Sequence, residues 1–147
     1  MELETRYFGK IQQEEENFYT FPSGLFGFEE ETRFALLAFA ESDGSMLCLQ
    51  SVKTPTLAFV VMNPFQFVPE YAPQLQAQEL RLLGVKQSTE LCYYVLCALK
   101  RPVSDSTVNL KCPLALNDRT RRGMQVILEA GDYSMRQPLQ PSRRKDG

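Results

Sequence analysis

The length and spacing of its apolar runs constrain this chain most. NFYTF (17–21), FALLAFA (34–40), MLCLQSV (46–52), LAFVVM (57–62), LCYYVLCAL (91–99), VNLKCPLALN (108–117) and MQVILEA (124–130) are all of strand length. Pro22 with Gly24, the stretch SDGS (42–45), Lys53-Thr54-Pro55 and DRTRRG (118–123) separate them as turn signals. No 3.6-residue period is sustained. The pattern predicts an all-β fold, a small antiparallel β-barrel or barrel-like sandwich with one short helix. TRYFGKI (5–11) reads as the first of about eight strands. The runs 34–40 and 46–52 read as a hairpin joined through Asp43-Gly44, and 91–99 as a central strand. Pro113 has no N–H to give a ladder, so 108–117 belongs at an edge or contains a bulge. MQVILEA reads as the last strand. The helix is AQELRLLG (77–84), with Leu80, Leu82 and Leu83 ahead of a terminal Gly84.

A chain of 147 residues fits one domain. It is expected to span 1–139, followed by a flexible, polar, basic tail at 140–147. The opening MELETRYFGK has no apolar segment of the export type, and no window approaches a membrane span. The four cysteines, Cys48, Cys92, Cys97 and Cys112, form no CxxC pair. They read as reduced thiols in a cytoplasmic protein.

Histidine is absent, which removes the commonest general base and the commonest transition-metal ligand. Without an imidazole, a cysteine nucleophile lacks its usual activating partner. No phosphate-binding glycine loop, zinc-protease motif or nucleophile elbow occurs. The run Glu14-Glu15-Glu16 lies between two strand-like segments and reads as a hairpin loop, not a carboxylate pair. These absences argue against an enzyme, a cofactor site or a metal site.

Charge is unevenly distributed. Residues 1–46 hold ten acids against Arg6, Lys10 and Arg33, a net of −7, and the remainder has a net of +5. If the acids share a face, it favours a basic partner and repels a phosphate backbone. The alternative is that they are solvated loops and turns. The basic stretches 118–122 and 143–145 lie apart from the aromatic-rich segment 59–71, whose single charge is the acidic Glu70. That mismatch argues against a base-stacking platform.

NPFQFVPEY (63–71) combines loop signals with apolar bulk. Pro64 and Pro69 hold the backbone extended or turned. Phe65 and Phe67 are then expected to point the same way, as residues two apart in a strand do. Either both plug one end of the barrel, or one or more face outward as rigid apolar anchors for another protein.

Three segments together resemble the FliW family of flagellar assembly factors: TFPSGLFGFEE (20–30), LQSVKTPTLAFVVMNPFQFVPEY (49–71) and VNLKCPLALNDRTRRGMQVIL (108–128). Their order and spacing match the family across about residues 3–139. Phe26 stands where the family usually has proline, and Cys112-Pro113-Leu114 where it usually has Ala-Pro-Ile. The resemblance implies a small cytoplasmic β-barrel that catalyses nothing. It implies binding to CsrA, an RNA-binding translational repressor, which relieves repression of flagellin synthesis, and binding to flagellin itself. Two alternatives remain beside that reading: a flagellin chaperone, and a barrel that binds single-stranded RNA directly. Under the protein-binding reading, Phe65, Phe67 and Tyr71 are the candidate apolar anchors. Glu70 and the acids Glu29, Glu30 and Glu31 are the candidate electrostatic contacts. No direct nucleic-acid or membrane contact is expected.

Overall fold

The computed structural model describes residues 1–39 and 44–139. Residues 40–43 of the expected hairpin connection and the expected tail 140–147 lie outside the described residues. The chain opens with β1 (Glu2–Glu4) and β2 (Lys10–Gln12), which pair antiparallel with Leu3 opposite Ile11. The stretch expected as one strand over 5–11 is therefore mostly the turn of a hairpin. The Thr5 amide donates to the Gly9 carbonyl across it at 2.9 Å.

A closed ring follows. β3 (Tyr19–Thr20), β4 (Arg33–Ala38), β5 (Met46–Ser51), β6 (Ala58–Met62) and β7 (Cys92–Ala98) pair in sequence, all antiparallel. β9 (Leu114–Asn117) pairs with β7, and β10 (Arg122–Gln125) pairs with β9 and returns to β3, closing a seven-stranded barrel. The β10–β3 contact, Arg122 opposite Thr20, is the one parallel pairing in the ring. β8 (Thr107–Val108) also pairs with β7, and β11 (Gln137–Pro138) pairs with β8.

The interrupted strand expected at 108–117 takes this form. Val108 sits opposite Cys97 and Leu114 opposite Tyr94; the Asn109 amide still donates to the Leu96 carbonyl at 3.0 Å, and 110–113 bulges away from β7. The run expected as a strand over 124–130 is ladder only to Gln125. Beyond it, the Val126 and Leu128 amides donate to Pro113 and Lys111 of the bulge. Pro113 thus serves as an acceptor, the one backbone role it retains.

The continuous apolar runs have a simple cause, because much of the barrel wall is covered on both faces. Alternate residues point inward, and Tyr19, Phe21, Phe34, Leu49, Val61, Leu114 and Leu116 fill the lumen. Outward residues of β4 and β5, including Ala35, Leu37 and Cys48, lie under the β1–β2 hairpin through Leu3 and Ile11. Helix α1 (Ala77–Leu83) ends at Gly84, whose left-handed φ of 75° suits glycine. It packs Leu83 and Leu80 against Tyr93 and Ala115 on the outside of β7 and β9. The 63–75 segment covers Met62 and Val95 in the same way.

Glu15–Asn17 form a 3-10 turn linking the outer hairpin to β3. The acid run is exposed on this connector; β2 and β3 do not pair, so it is not the loop of a hairpin.

Candidate protein-binding surface

The segment 63–71 shows how its apolar residues are used. Asn63 accepts the Phe65 amide at 3.0 Å and caps a 3-10 turn over Pro64–Gln66. Helical geometry places Phe65 and Phe67 on different faces, so the strand-like alignment expected for them does not occur. Phe65 is 38 % exposed, while Phe67 and Val68 pack onto the outer wall of β7. Tyr71, expected as an outward anchor, is only 3 % exposed. Its hydroxyl donates to the Leu110 carbonyl at 2.6 Å, and its ring meets Tyr133 edge-on at 4.8 Å. Burial pushes its phenol well above the ordinary range. The two prolines brace a cover over the barrel wall, which leaves Phe65 and Glu70 at the surface.

The acids Glu29, Glu30 and Glu31 follow a different loop. Glu31 is half-buried and structural: Ser51 Oγ donates to one carboxylate oxygen at 2.5 Å and Thr54 Oγ1 to the other at 2.7 Å. The Ser51 bond holds its carboxyl below the usual 4.5, opposed by burial and assisted by Thr54 and Lys53. Glu29 and Glu30 are exposed. Glu31 is tied to the turn that enters β6, whereas Phe65 follows the exit from β6. The two sets of candidate residues therefore lie at opposite ends of a strand about 15 Å long. They do not form one site.

The loop 22–30 gathers more surface features than any single predicted residue. Gly24 has a φ of 68°, and a Cβ there would overlap the backbone of Phe28 and Glu29. Leu25 and Phe28 form an isolated bridge, the Phe28 amide donating to the Leu25 carbonyl at 2.8 Å. The Phe26 amide donates to Gln125 Oε1 at 2.9 Å, and Gln125 Nε2 donates to the Cys112 carbonyl at 3.2 Å. A proline at position 26 would have no N–H for that bond. Phe26, 49 % exposed, and Phe28, 40 % exposed, are presented beside Glu29 and Glu30. Phe28 is held edge-on against Phe59 at 5.2 Å. Neither ring is among the candidate anchors read from the sequence, in which Pro22 and Gly24 mark a turn and Phe26 stands out only as a departure from the family pattern. The available signal was aromatic bulk at the tip of a glycine-framed turn.

A second fixed point is Gln50, fully buried on β5. Its Oε1 accepts the Arg6 amide, and its Nε2 donates to the carbonyls of Ser51, Pro55 and Leu57. It thereby shapes the β5–β6 turn that carries the partners of Glu31. In the basic stretch 118–122, Arg121 is committed to Asp118 at 3.1 Å and to the Tyr19 hydroxyl at 2.6 Å. Among the described residues, no group of three or more histidine, cysteine or carboxylate side chains is arranged to hold a metal ion. Burial raises all four thiols, Cys48 to about 11, which disfavours a reactive thiolate.

The FliW protein family model matches residues 2–139. The chain belongs to the FliW family. The flagellar assembly factor FliW of Shouchella clausii is 37% identical over 139 residues, covering 95% of this chain and 94% of the relative. That of Exiguobacterium sp. is 38% identical over 139 residues, with 95% and 94% covered. The crystal structure of a flagellar assembly factor FliW superposes with a TM-score of 0.88 at 34% identity, covering 96% of this chain and 98% of the other. The FliW barrel thus accounts for the ring and for the layers over its outer wall. Among the described residues, no helix is long and apolar enough to cross a membrane.

Proposed function

We propose that this chain is a non-enzymatic, cytoplasmic regulator of flagellum assembly that works by protein contact. It antagonises the translational repressor CsrA and also binds flagellin, so flagellin translation is released from repression according to flagellin supply. Membership of the FliW family, whose reported relatives are named assembly factors, supports the flagellar role. The observation that carries the contact reading is the 22–30 loop, a braced turn with two exposed rings beside two exposed carboxylates. Apolar anchors on a preorganised backbone lose little entropy on docking. Adjacent acids suit a basic partner, as a protein that grips RNA must be, and they repel RNA itself.

The test is calorimetric titration of the purified chain with CsrA and, separately, with flagellin. Binding of both, with each excluding or weakening the other, is the expected result. Phe28→Ala is expected to weaken at least one complex by about 1 kcal/mol or more, the scale of an interface hot spot. Binding to neither partner overturns the proposal. Protection of flagellin from aggregation without any contact to CsrA favours a chaperone instead. A gel shift of leader RNA by the chain alone favours an RNA-binding barrel.

A further inference from the structure

The far end of β7 carries a surface unlike the acidic loops. β7 runs into Leu99, Lys100 and Arg101, and the chain then turns through Val103–Asp105 into β8. An open groove of about 390 Å³ lies between this stretch and the segment preceding β11. Leu96 and Met135 supply its apolar wall over the buried Val108, and Lys100 and Arg136 stand on it. A second hollow, formed with Leu99, Arg101 and Val103, adjoins it through Lys100. Leu99, Val103 and Met135 are among the most exposed large apolar side chains of the molecule.

The charges of this end are unbalanced. Lys100, Arg101 and Arg136 have no carboxylate partner among the described residues, where the one salt bridge is Arg121–Asp118. No acid lines either hollow; Asp105, on the intervening turn, faces neither. Apolar walls flanked by free cations match a segment that alternates apolar side chains with carboxylates. Charge complementarity favours an acidic chain, and the apolar walls favour a polypeptide. Neither hollow is lined by an aromatic side chain, so bases have nothing to stack upon.

The geometry points to a second docking surface, in which the groove of Lys100 and Arg136 receives an extended, acidic and apolar peptide segment of another protein. It is independent of which protein meets the 22–30 loop.

The test uses the full chain and a fluorescein-labelled synthetic peptide alternating leucine with aspartate. Comparison probes are the same peptide with lysine for aspartate and a labelled oligouridylate. Anisotropy measures affinity, and amide exchange locates the contact. The acidic peptide is expected to bind, to weaken with added salt, and to protect amides within 96–109 and 135–136. The double substitution Lys100→Glu with Arg136→Glu, at exposed positions, is expected to weaken binding at least about tenfold with an unchanged melting temperature. Glu29→Lys is expected to leave it unchanged. Absence of binding, equal binding of the lysine peptide, tighter binding of the oligouridylate, or protection confined to other residues overturns the assignment. So does loss of the groove to self-association, detected as concentration-dependent sedimentation that Arg136→Glu abolishes.

Discussion

Glu31 shows how one side chain can hold a binding loop without touching a partner. Its carboxylate receives the Ser51 and Thr54 hydroxyls and so ties the end of the 22–30 loop to the β5–β6 turn. Those bonds favour the charged form, and its folded-state pKa lies below the ordinary 4.5. A depressed carboxyl pKa contributes stability above the unfolded value, and that contribution is lost as pH falls through the folded one. Glu31→Gln is therefore expected to melt below the parent at neutral pH, and the gap is expected to close as pH falls below the ordinary 4.5 and through the lower folded-state value. Thermal melts of both proteins across that range check this; a gap that is constant with pH counts against it. The residue type was visible in the sequence as one of three adjacent acids, but its role was not. Nothing local distinguishes Glu31 from Glu30, and only the long-range approach of Ser51 makes one structural and leaves the other free.

Among the elements, the 63–71 segment separates cover from contact. Phe67→Ala removes a ring packed on the outer barrel wall and is expected to lower stability by about 2–3 kcal/mol. Phe65→Ala, at an exposed position, is expected to change stability by less than about 1 kcal/mol. Urea unfolding of the two variants distinguishes them, and equal losses would mean that the segment is not a cover. The fold-level elements were legible for identifiable reasons. The length of the apolar runs and the turn signals between them marked β4, β5 and β6, the terminal glycine marked the end of α1, and the missing N–H of Pro113 marked the bulge before β9. Less legible were elements whose partners are distant in sequence. β3 and β10 meet across about a hundred residues in a parallel contact, and no local pattern encodes that pairing. Phe65 and Phe67 were misread because an Asn63 cap converts an apparently extended stretch into a helical turn. The same cap residue was in plain view, but proline on both sides suggested extension.

At the scale of the molecule, charge is divided along the chain. The first 46 residues have a net charge of −7, with Glu29 and Glu30 beside exposed rings, and the β7–β8 connection carries cations that have no carboxylate partner among the described residues. Exposed charges steer encounter more than they hold a complex. For the 22–30 loop and a basic partner, the association rate is expected to fall as salt rises from low to physiological concentration, while dissociation changes little. Stopped-flow measurement at several salt concentrations checks this; a salt-independent association rate would remove the acids from the recognition step. The charge division was readable from residue counts, whereas the placement of the rings beside Glu29 and Glu30 required the folded loop.

Closure of the barrel has a bearing on the company such a protein keeps. The long strands spend their amides and carbonyls on one another around the ring, and the strands left at a margin are short. β11 is two residues with Pro138, and the β1–β2 pair bears Glu2, Glu4 and Lys10. Short, charged or proline-bearing margins give an incoming strand little to extend. A molecule proposed to sit beside filament subunits before they assemble is thereby built so that it does not seed a fibre of its own.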